Sequence, residues 1–201
     1  MTAFKTAVNV FKMKYNALPG DMPNASAYWN CEESPDWFCT MVGDGGFNGG
    51  GDGFINDWYC DNHDGSFESL RAWEHLSLAG LVNGRFRVGI DNDRVLGKTV
   101  PASKMDNGGY ELGCSGSSWF IKPVGHYVGF AASGGDQLMN SILIPSEAYA
   151  IDLKIDDGKP EDGKIIGLDG ADVTAGKCDN TGNDTYKTTN TKKGCWLAFL
   201  F

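Results

Sequence analysis

The sequence lacks an apolar segment that could cross a membrane. None of its apolar runs approaches the roughly 20 residues that span a bilayer. The opening residues, MTAFKTAVNV, also lack the apolar core of a signal peptide. If the protein is exported, we therefore expect a leader upstream of this chain. The alternative is a cytosolic protein.

Positive charge is in short supply, with 17 Lys and Arg against 26 Asp and Glu and a formal net charge of -9. A negative net charge makes nucleic-acid binding through a broad, phosphate-neutralising surface an unfavourable interpretation. Many acidic residues cluster with glycine in two segments, GDGGFNGGGDG and IDDGKPEDG. Such segments favour cation binding over anion binding, with solvated turns as the alternative.

Recognisable catalytic machinery is also scarce. The chain has three histidines, His63, His75 and His126, and none has another histidine at metal-ligand spacing. The serine-rich GCSGSS lacks the G-x-S-x-G spacing of a hydrolase, and the sequence has no P-loop or dinucleotide fingerprint. Glu68 and Glu74 stand six positions apart on a predicted helix, where they point to different sides. The sequence therefore predicts that the protein is not an enzyme.

Cysteine pairs of the CxxC kind, which mark zinc ribbons and thioredoxin-like sites, are absent. The chain has instead six widely spaced cysteines: Cys31, Cys39, Cys60, Cys114, Cys178 and Cys195. An even number in a glycine-rich acidic chain favours disulfides in an oxidising compartment, such as a periplasm or cell surface, over free buried thiols. Fifteen pairings of six cysteines are possible.

The first residues of the chain show helical periodicity. Apolar side chains recur at steps of four and three over residues 1–18, as in an amphipathic helix. They are Phe4, Val8, Phe11, Tyr15 and Leu18. We expect the Pro19-Gly20 pair to end this helix. Because no capping residue precedes it, we also expect it to be the remainder of a longer helix, with Met1 an artificial start.

A long loop rich in glycine and tryptophan follows over residues 21–65, and three of the cysteines fall within it. A loop of that length needs cross-links, a bound ion or aromatic anchors to be ordered. A second apolar stripe then predicts a helix over residues 66–83, with Gly84 placed to end it.

Residues 85–201 form the predicted sheet region. Strand-like runs occur at RFRVGI, SSWFIK, HYVGFA and GKIIGLDG, and the last is CWLAFLF at the terminus. Pro145 opens a short predicted helix over SEAYAIDLKI, and DDGKPEDG turns the chain into the next strand. The order of helix, long loop, helix and sheet predicts a single α+β domain over residues 1–201, with the N-terminal helix packed on an antiparallel sheet.

Four segments resemble a known family. FKMKYNALPGDMPNA (11–25) is similar to the region that follows the membrane helix in prepilin-type proteins. The segments ESLRAWEHLSLAGLVNG (68–84), VPASK (100–104) and IPSEAYAIDLKIDDGKPEDGKI (144–165) also look like a branch of these proteins. In this order they resemble a type IV pilin or a type II secretion pseudopilin, without the leader and the apolar N-terminal stretch.

The resemblance implies a long N-terminal helix whose second half packs on the sheet. It also implies a structural subunit of a pilus or pseudopilus, in the periplasm or at the cell surface, anchored in the inner membrane before assembly. The implied partners are other copies of the chain or related subunits, and the membrane through the missing helix. A C-terminal disulfide loop is frequent in the family and implies a Cys178–Cys195 bridge, and Cys31 with Cys39 is our local guess.

The acidic segment GDGGFNGGGDGFIND predicts a calcium site. Asp44, Asn48 and Asp52 are the expected side-chain ligands, with Asp57 as a fourth. Calcium takes six to eight oxygen ligands, and the glycines let backbone oxygens turn inward. The spacing is not that of an EF-hand loop. Two rival acidic segments are DNHDGSFE (61–68) and IDDGKPEDG (155–163). The resemblance adds that some pseudopilins depend on calcium.

Aromatic residues in or near the long loop suggest an alternative function. They are Tyr28, Trp29, Trp37, Trp58 and Tyr59. Aromatic platforms with acidic neighbours can hold sugars or protein partners, although anchoring of the core or of a loop is their commoner use. The alternative is therefore a minor or tip pilin that acts as an adhesin.

Overall fold

An antiparallel sheet of five strands forms the centre of the described fold. The computed structural model describes residues 1–30, 46–56, 68–88, 93–115, 125–134, 138–174, 176–179 and 183–201. The strands are β1 (Gly108–Ser115), β2 (Gly125–Ser133), β3 (Leu138–Asn140), β4 (Ile165–Asp169) and β5 (Cys195–Leu200). The α-helices in these ranges are α1 (Thr2–Tyr15), α2 (Glu68–Leu78) and α3 (Pro145–Ile155), with a short 3-10 helix at Ala25–Ala27. The fold is therefore of the mixed α+β class expected from the sequence.

The C-terminal strand lies in the middle of the sheet. The strand order is β1-β2-β5-β4, and β3 pairs with the end of β2. All six residues of β5 are buried, which suits its continuous apolar sequence CWLAFL. In the register, Phe199 of β5 stands between Val128 of β2 and Ile165 of β4. The C-terminal strand β5 is thus paired with a neighbouring strand on each side, β2 and β4.

Helix α1 packs on both α2 and the sheet. Its buried residues include Val8 and Phe11, two members of the predicted stripe. The ring of Phe4 meets Trp73 of α2 at 5.0 Å and Tyr110 of β1 at 5.1 Å between centroids. Each fully buried large apolar side chain stabilises the fold by about 1.5–3 kcal/mol. The buried face of α1 therefore contributes strongly to holding this helix against α2 and the sheet.

Helix α1 ends three residues earlier than predicted. Asn16 has a φ of 54°, in the left-handed region, and its N–H still donates to the carbonyl of Lys12. Asparagine tolerates this conformation better than most residues, so it can terminate a helix. The helix is therefore complete before the Pro19-Gly20 pair.

Helix α2 also ends earlier than predicted, and Gly80 rather than Gly84 terminates it. Gly80 has a φ of 70°. Its N–H donates to the carbonyl of Ser77, while the Leu81 N–H donates to that of Leu76. These two bonds form a Schellman motif, which satisfies the last helical carbonyls. Because apolar residues continue after Gly80, the sequence predicted a helix that extends too far.

The predicted strand RFRVGI is wrong for its described part, residues 85–88, which is not paired in the sheet. Phe86 and Val88 are buried, so the alternation of the sequence does mark an inward face. The backbone is bonded elsewhere, because the Arg87 N–H donates to the carbonyl of Lys98. The predicted strand SSWFIK lies outside the described residues.

Two strands, β1 and β3, were not predicted. β1 contains three glycines, which lower strand propensity, and β3 has only three residues. A Cβ placed on Gly109 would lie 2.4 Å from the side chain of Leu96, so close packing explains this glycine. The other strand predictions in described regions coincide with β2, β4 and β5. Helix α3 begins at Pro145 as predicted, and the Glu147 carboxylate accepts the Ile144 N–H ahead of it.

Candidate functional site

Three segments that are separated in the sequence meet in the structure. They are the turn after α1, the glycine-rich residues 46–56 and the first turns of α2. A Cβ on Gly20, whose φ is 88°, would lie 2.2 Å from the carbonyl oxygen of Glu68. A Cβ on Gly49 would lie 2.1 Å from the carbonyl oxygen of Gly20. Only glycine allows backbones to approach this closely.

His75 of α2 ties the same three segments together. Its Nδ1 accepts the Gly20 N–H at 3.0 Å, so the neutral ring carries its proton on Nε2, which donates to the carbonyl of Phe47 at 3.0 Å. The side chain is fully buried, and burial lowers its pKa to about 3. The ring also stacks on Phe11 of α1. His75 is therefore a neutral structural link at neutral pH.

Three carboxylates converge beside this link. Asp21 comes from the turn, Asp52 from the glycine-rich segment, and Glu68 is the first residue of α2. One oxygen from each lies within 4.8 Å of the others. Asp21 and Glu68 are buried, whereas Asp52 is exposed. We name this group the carboxylate cluster.

Backbone amides already surround the two buried members of the carboxylate cluster. Both oxygens of Asp21 and both of Glu68 accept N–H groups of the glycine-rich segment, at distances between 2.5 and 3.0 Å. The donors are Asp52 and Gly53 for Asp21, and Gly50 and Asn56 for Glu68. The cluster therefore fixes the path of this segment against α2.

The buried carboxylates resist ionisation. Burial raises the pKa of Asp21 to about 6 and that of Glu68 to about 7, and the charge of Asp52 adds to both shifts. Hydrogen bonds from the backbone oppose the shifts without cancelling them. Near neutral pH, a proton or a cation would lower the electrostatic energy of this cluster.

Of the four predicted calcium ligands, Asp52 lies in the carboxylate cluster. The side-chain amide of Asn48 is bonded to Ser26: its Nδ2 donates to Ser26 Oγ and its Oδ1 accepts the Ser26 N–H. Asp44 and Asp57 lie outside the described residues. Calcium is compatible with three clustered carboxylates, since it prefers oxygen ligands. Its binding here stays a prediction, with a ligand set that differs from the expected one.

The second acidic segment, IDDGKPEDG, forms a turn between α3 and β4, as expected. Asp156 accepts the N–H groups of Lys164 and Ile165, which closes the turn. Oxygens of Asp152, Asp156 and Asp157 also lie within 4.8 Å of one another. The acids of this segment therefore have a clear role in turn formation.

The C-terminal loop is closed by a disulfide between Cys178 and Cys195, the pairing implied by the resemblance. Asp169 accepts three consecutive N–H groups at the start of the loop. The Tyr186 hydroxyl donates to the buried carboxylate of Asp152 at 2.7 Å. The loop is thus fastened to both β4 and α3.

The second predicted disulfide lies outside the described residues. It would join Cys31 and Cys39, and their pairing stays a prediction. Cys114 of β1 is disulfide-bonded.

Residues considered for catalysis have structural partners. His126 Nε2 accepts the Ile55 N–H at 3.2 Å, and burial lowers its pKa to about 4. Glu74 accepts a bond from Arg71 at 2.6 Å, and both side chains are buried. His63 lies outside the described residues.

The aromatic residues of the long loop are described only in part. The ring of Trp29 packs on that of Tyr15 at 5.1 Å between centroids and is half-buried. Tyr28 is 55% exposed. Trp29 therefore anchors the start of the loop to α1. Three further aromatic residues lie outside the described ranges: Trp37, Trp58 and Tyr59.

Comparison with known proteins finds no matching family model, curated protein or solved structure. Within the described ranges, no helix combines the length and the apolar character needed to cross a membrane. The resemblance to pilin-like proteins therefore stays a prediction from the sequence segments.

Proposed function

We propose that the chain is a structural subunit of a type IV pilus or pseudopilus-like filament. The observation that carries the proposal is the position of α1. One face of this helix is buried against α2 and the sheet, and the opposite face is exposed along its whole length. The exposed positions on that face are Thr2, Ala3, Thr6, Asn9 and Met13. A helix that keeps one face for its own domain can use the other to pack between subunits.

The arrangement around α2 also supports the proposal. The segments FKMKYNALPGDMPNA and ESLRAWEHLSLAGLVNG carry much of the resemblance, and they are joined through Gly20, Glu68 and His75. The two segments therefore belong to one packed framework. The disulfide-closed loop before β5 agrees with the same family expectation.

The proposed partners are other copies of this chain or related subunits. The proposed location is the periplasm or the cell surface, with an inner-membrane anchor before assembly. The disulfides of Cys178, Cys195 and Cys114 favour an oxidising compartment.

The coding sequence upstream of Met1 tests this proposal. We expect a leader ending in glycine, then about 20 apolar residues, the length of a bilayer span, with a glutamate near their start. A native gene that starts at Met1, in a protein that stays in the cytosol, would contradict it.

The adhesin alternative stays a prediction. Binding of the isolated domain to a glycan array, reduced by Tyr28→Ala, would favour it. Incorporation of the chain along the length of a filament would favour the structural subunit.

A further inference from the structure

Helix α3 carries an exposed apolar patch. Tyr149 is 38% exposed, Leu153 is 54% exposed and Ile155 is 63% exposed. Tyr149 and Leu153 are four positions apart and therefore share one face of the helix. Ala148 and Asp152 of the same helix are buried. We name Tyr149, Leu153 and Ile155 the α3 patch.

The turn that follows α3 packs against two side chains of the α3 patch. Gly158 has a φ of 78°, and a Cβ there would lie 3.1 Å from the Tyr149 ring and 3.2 Å from the Leu153 side chain. The two side chains thus pack on the backbone of the turn. They are held at the surface by this contact, so docking on them costs less side-chain entropy.

Several acidic residues are close to the α3 patch in the sequence. The exposed carboxylates nearby in the sequence are Glu147, Asp157, Glu161 and Asp162. Three exposed lysines, Lys154, Lys159 and Lys164, partly balance them, and Lys159 is engaged with Asp184 at 3.6 Å. A partner for this surface should therefore combine an apolar side chain with positive charge.

The C-terminal end of α1 has that chemistry. Met13 is 78% exposed, and Lys12 and Lys14 on either side of it are also exposed. Residues 1–20 contain no Asp or Glu. Because the chain has a net charge of -9, two copies repel each other unless a basic surface of one meets an acidic surface of the other.

A second basic surface is less suitable. The loop closed by the Cys178–Cys195 disulfide has several lysines in or beside it: Lys177, Lys187, Lys192 and Lys193. In the described part of this loop, however, no large apolar side chain is exposed. It offers charge without a side chain to cover the α3 patch.

We propose that the α3 patch of one copy binds the C-terminal end of α1 of a second copy. Met13 covers Leu153, and Lys12 and Lys14 face the carboxylates around the patch. Because the two surfaces differ, the contact is heterologous and repeats from copy to copy. The proposal rests on the proposed function, since it names a subunit contact of the filament.

Zero-length cross-linking of the 201-residue chain tests the contact. A carbodiimide joins lysines to carboxylates, and an equal mixture of 14N- and 15N-labelled protein identifies cross-links between copies. We expect mixed-isotope links from Lys12 or Lys14 to Glu161 or Asp162. Links that come instead from the lysines of the C-terminal loop would overturn the proposal.

Sedimentation at about 1 mM protein and low salt, where weak contacts become populated, gives the second measurement. We expect Leu153→Ser and Lys14→Glu each to weaken association at least about tenfold. Lys14→Glu combined with Glu161→Lys should restore it. Met105→Ser is the matched control, because Met105 is 37% exposed outside α3. A monomer under these conditions, or an equal effect of Met105→Ser, would overturn the contact.

The two proposals can fail separately. Filaments that contain the Leu153→Ser variant at wild-type levels would overturn the α3 contact and keep the filament function. Cross-links as expected, in a chain that is absent from filaments, would keep the contact and overturn the filament function.

Discussion

At the residue scale, His75 shows how one neutral side chain can hold three segments. It accepts from Gly20 and donates to Phe47 while fully buried. We expect His75→Phe to leave both backbone groups unpaired and to lower the free energy of unfolding at pH 7 by about 2–4 kcal/mol. Urea denaturation measures this change, and a loss below about 0.5 kcal/mol, the range of an ordinary surface substitution, would contradict the role.

The same residue makes the fold acid-sensitive. The folded pKa of about 3 lies below the unfolded value of 6.5, so the unfolded chain binds more protons as the pH falls from 6.5. Stability should then fall by up to about 1.4 kcal/mol per pH unit from this group. The loss between pH 6.5 and 4 should be shallower in His75→Phe, and parallel curves would count against this account.

Glu68 should have the opposite effect on stability when the pH falls. Its folded pKa of about 7 lies above the unfolded value of 4.5, so protonation between pH 7 and 4.5 favours the folded chain. In chelator, the wild type should gain stability relative to Glu68→Gln by about 2 kcal/mol across that range. Denaturation curves of both proteins at pH 7.5 and 4.5 measure the difference. A difference that does not change with pH would contradict the raised pKa.

The residues of the carboxylate cluster could be predicted only in part. The acidic, glycine-rich composition around Asp52 indicated a cation site in the right segment. Asp21 was missed, because a single acid in a turn shows no local pattern, and Glu68 was included only as the end of the rival acidic segment DNHDGSFE. They meet Asp52 only through the packing of Gly20 and Gly49 against neighbouring backbone.

At the scale of elements, the carboxylate cluster fastens the glycine-rich segment to α2. If calcium binds there, it should stabilise the fold by about 2.7 kcal/mol at 100 times its dissociation constant. That corresponds to a melting temperature higher by about 5–10 °C. Asp52→Asn should reduce the shift, whereas Asp106→Asn, at an exposed turn, should not. Calorimetry without heat of binding, with an unchanged melting temperature, would remove calcium from this site.

The disulfide of the C-terminal loop gives a second test at this scale. Cys178 and Cys195 are buried and 17 positions apart. Loop-closure entropy predicts that Cys178→Ala with Cys195→Ala lowers the free energy of unfolding by about 3 kcal/mol. Denaturation without reductant, compared with the wild type, measures the loss. An unchanged midpoint would show that Asp169 and Tyr186 hold the loop without the bridge.

Element types were easier to predict than element ends. The stripes of α1 and the buried run of β5 depend on side-chain periodicity, which the sequence displays directly. The ends of α1 and α2 depend on Asn16 and Gly80, whose left-handed backbone competes with an apolar pattern that continues past them. β1 was missed because its glycines serve close packing.

At the scale of the whole molecule, helix α1 differs from the rest of the chain in its charge and has one exposed side. The chain has a net charge of -9, but its first 20 residues contain no acid, so its N-terminal helix is one basic surface of an acidic protein. The sheet and α2 bury one side of that helix and leave the other side open. This arrangement suits a subunit that packs between copies of itself.

Immunogold electron microscopy, with antibody raised against this domain, tests the central claim most directly. It is applied to cells that make the protein and to filaments sheared from them. The account predicts gold particles repeated along the filaments and lost when the gene is deleted. Label confined to the soluble fraction, with filaments unlabelled, would contradict it.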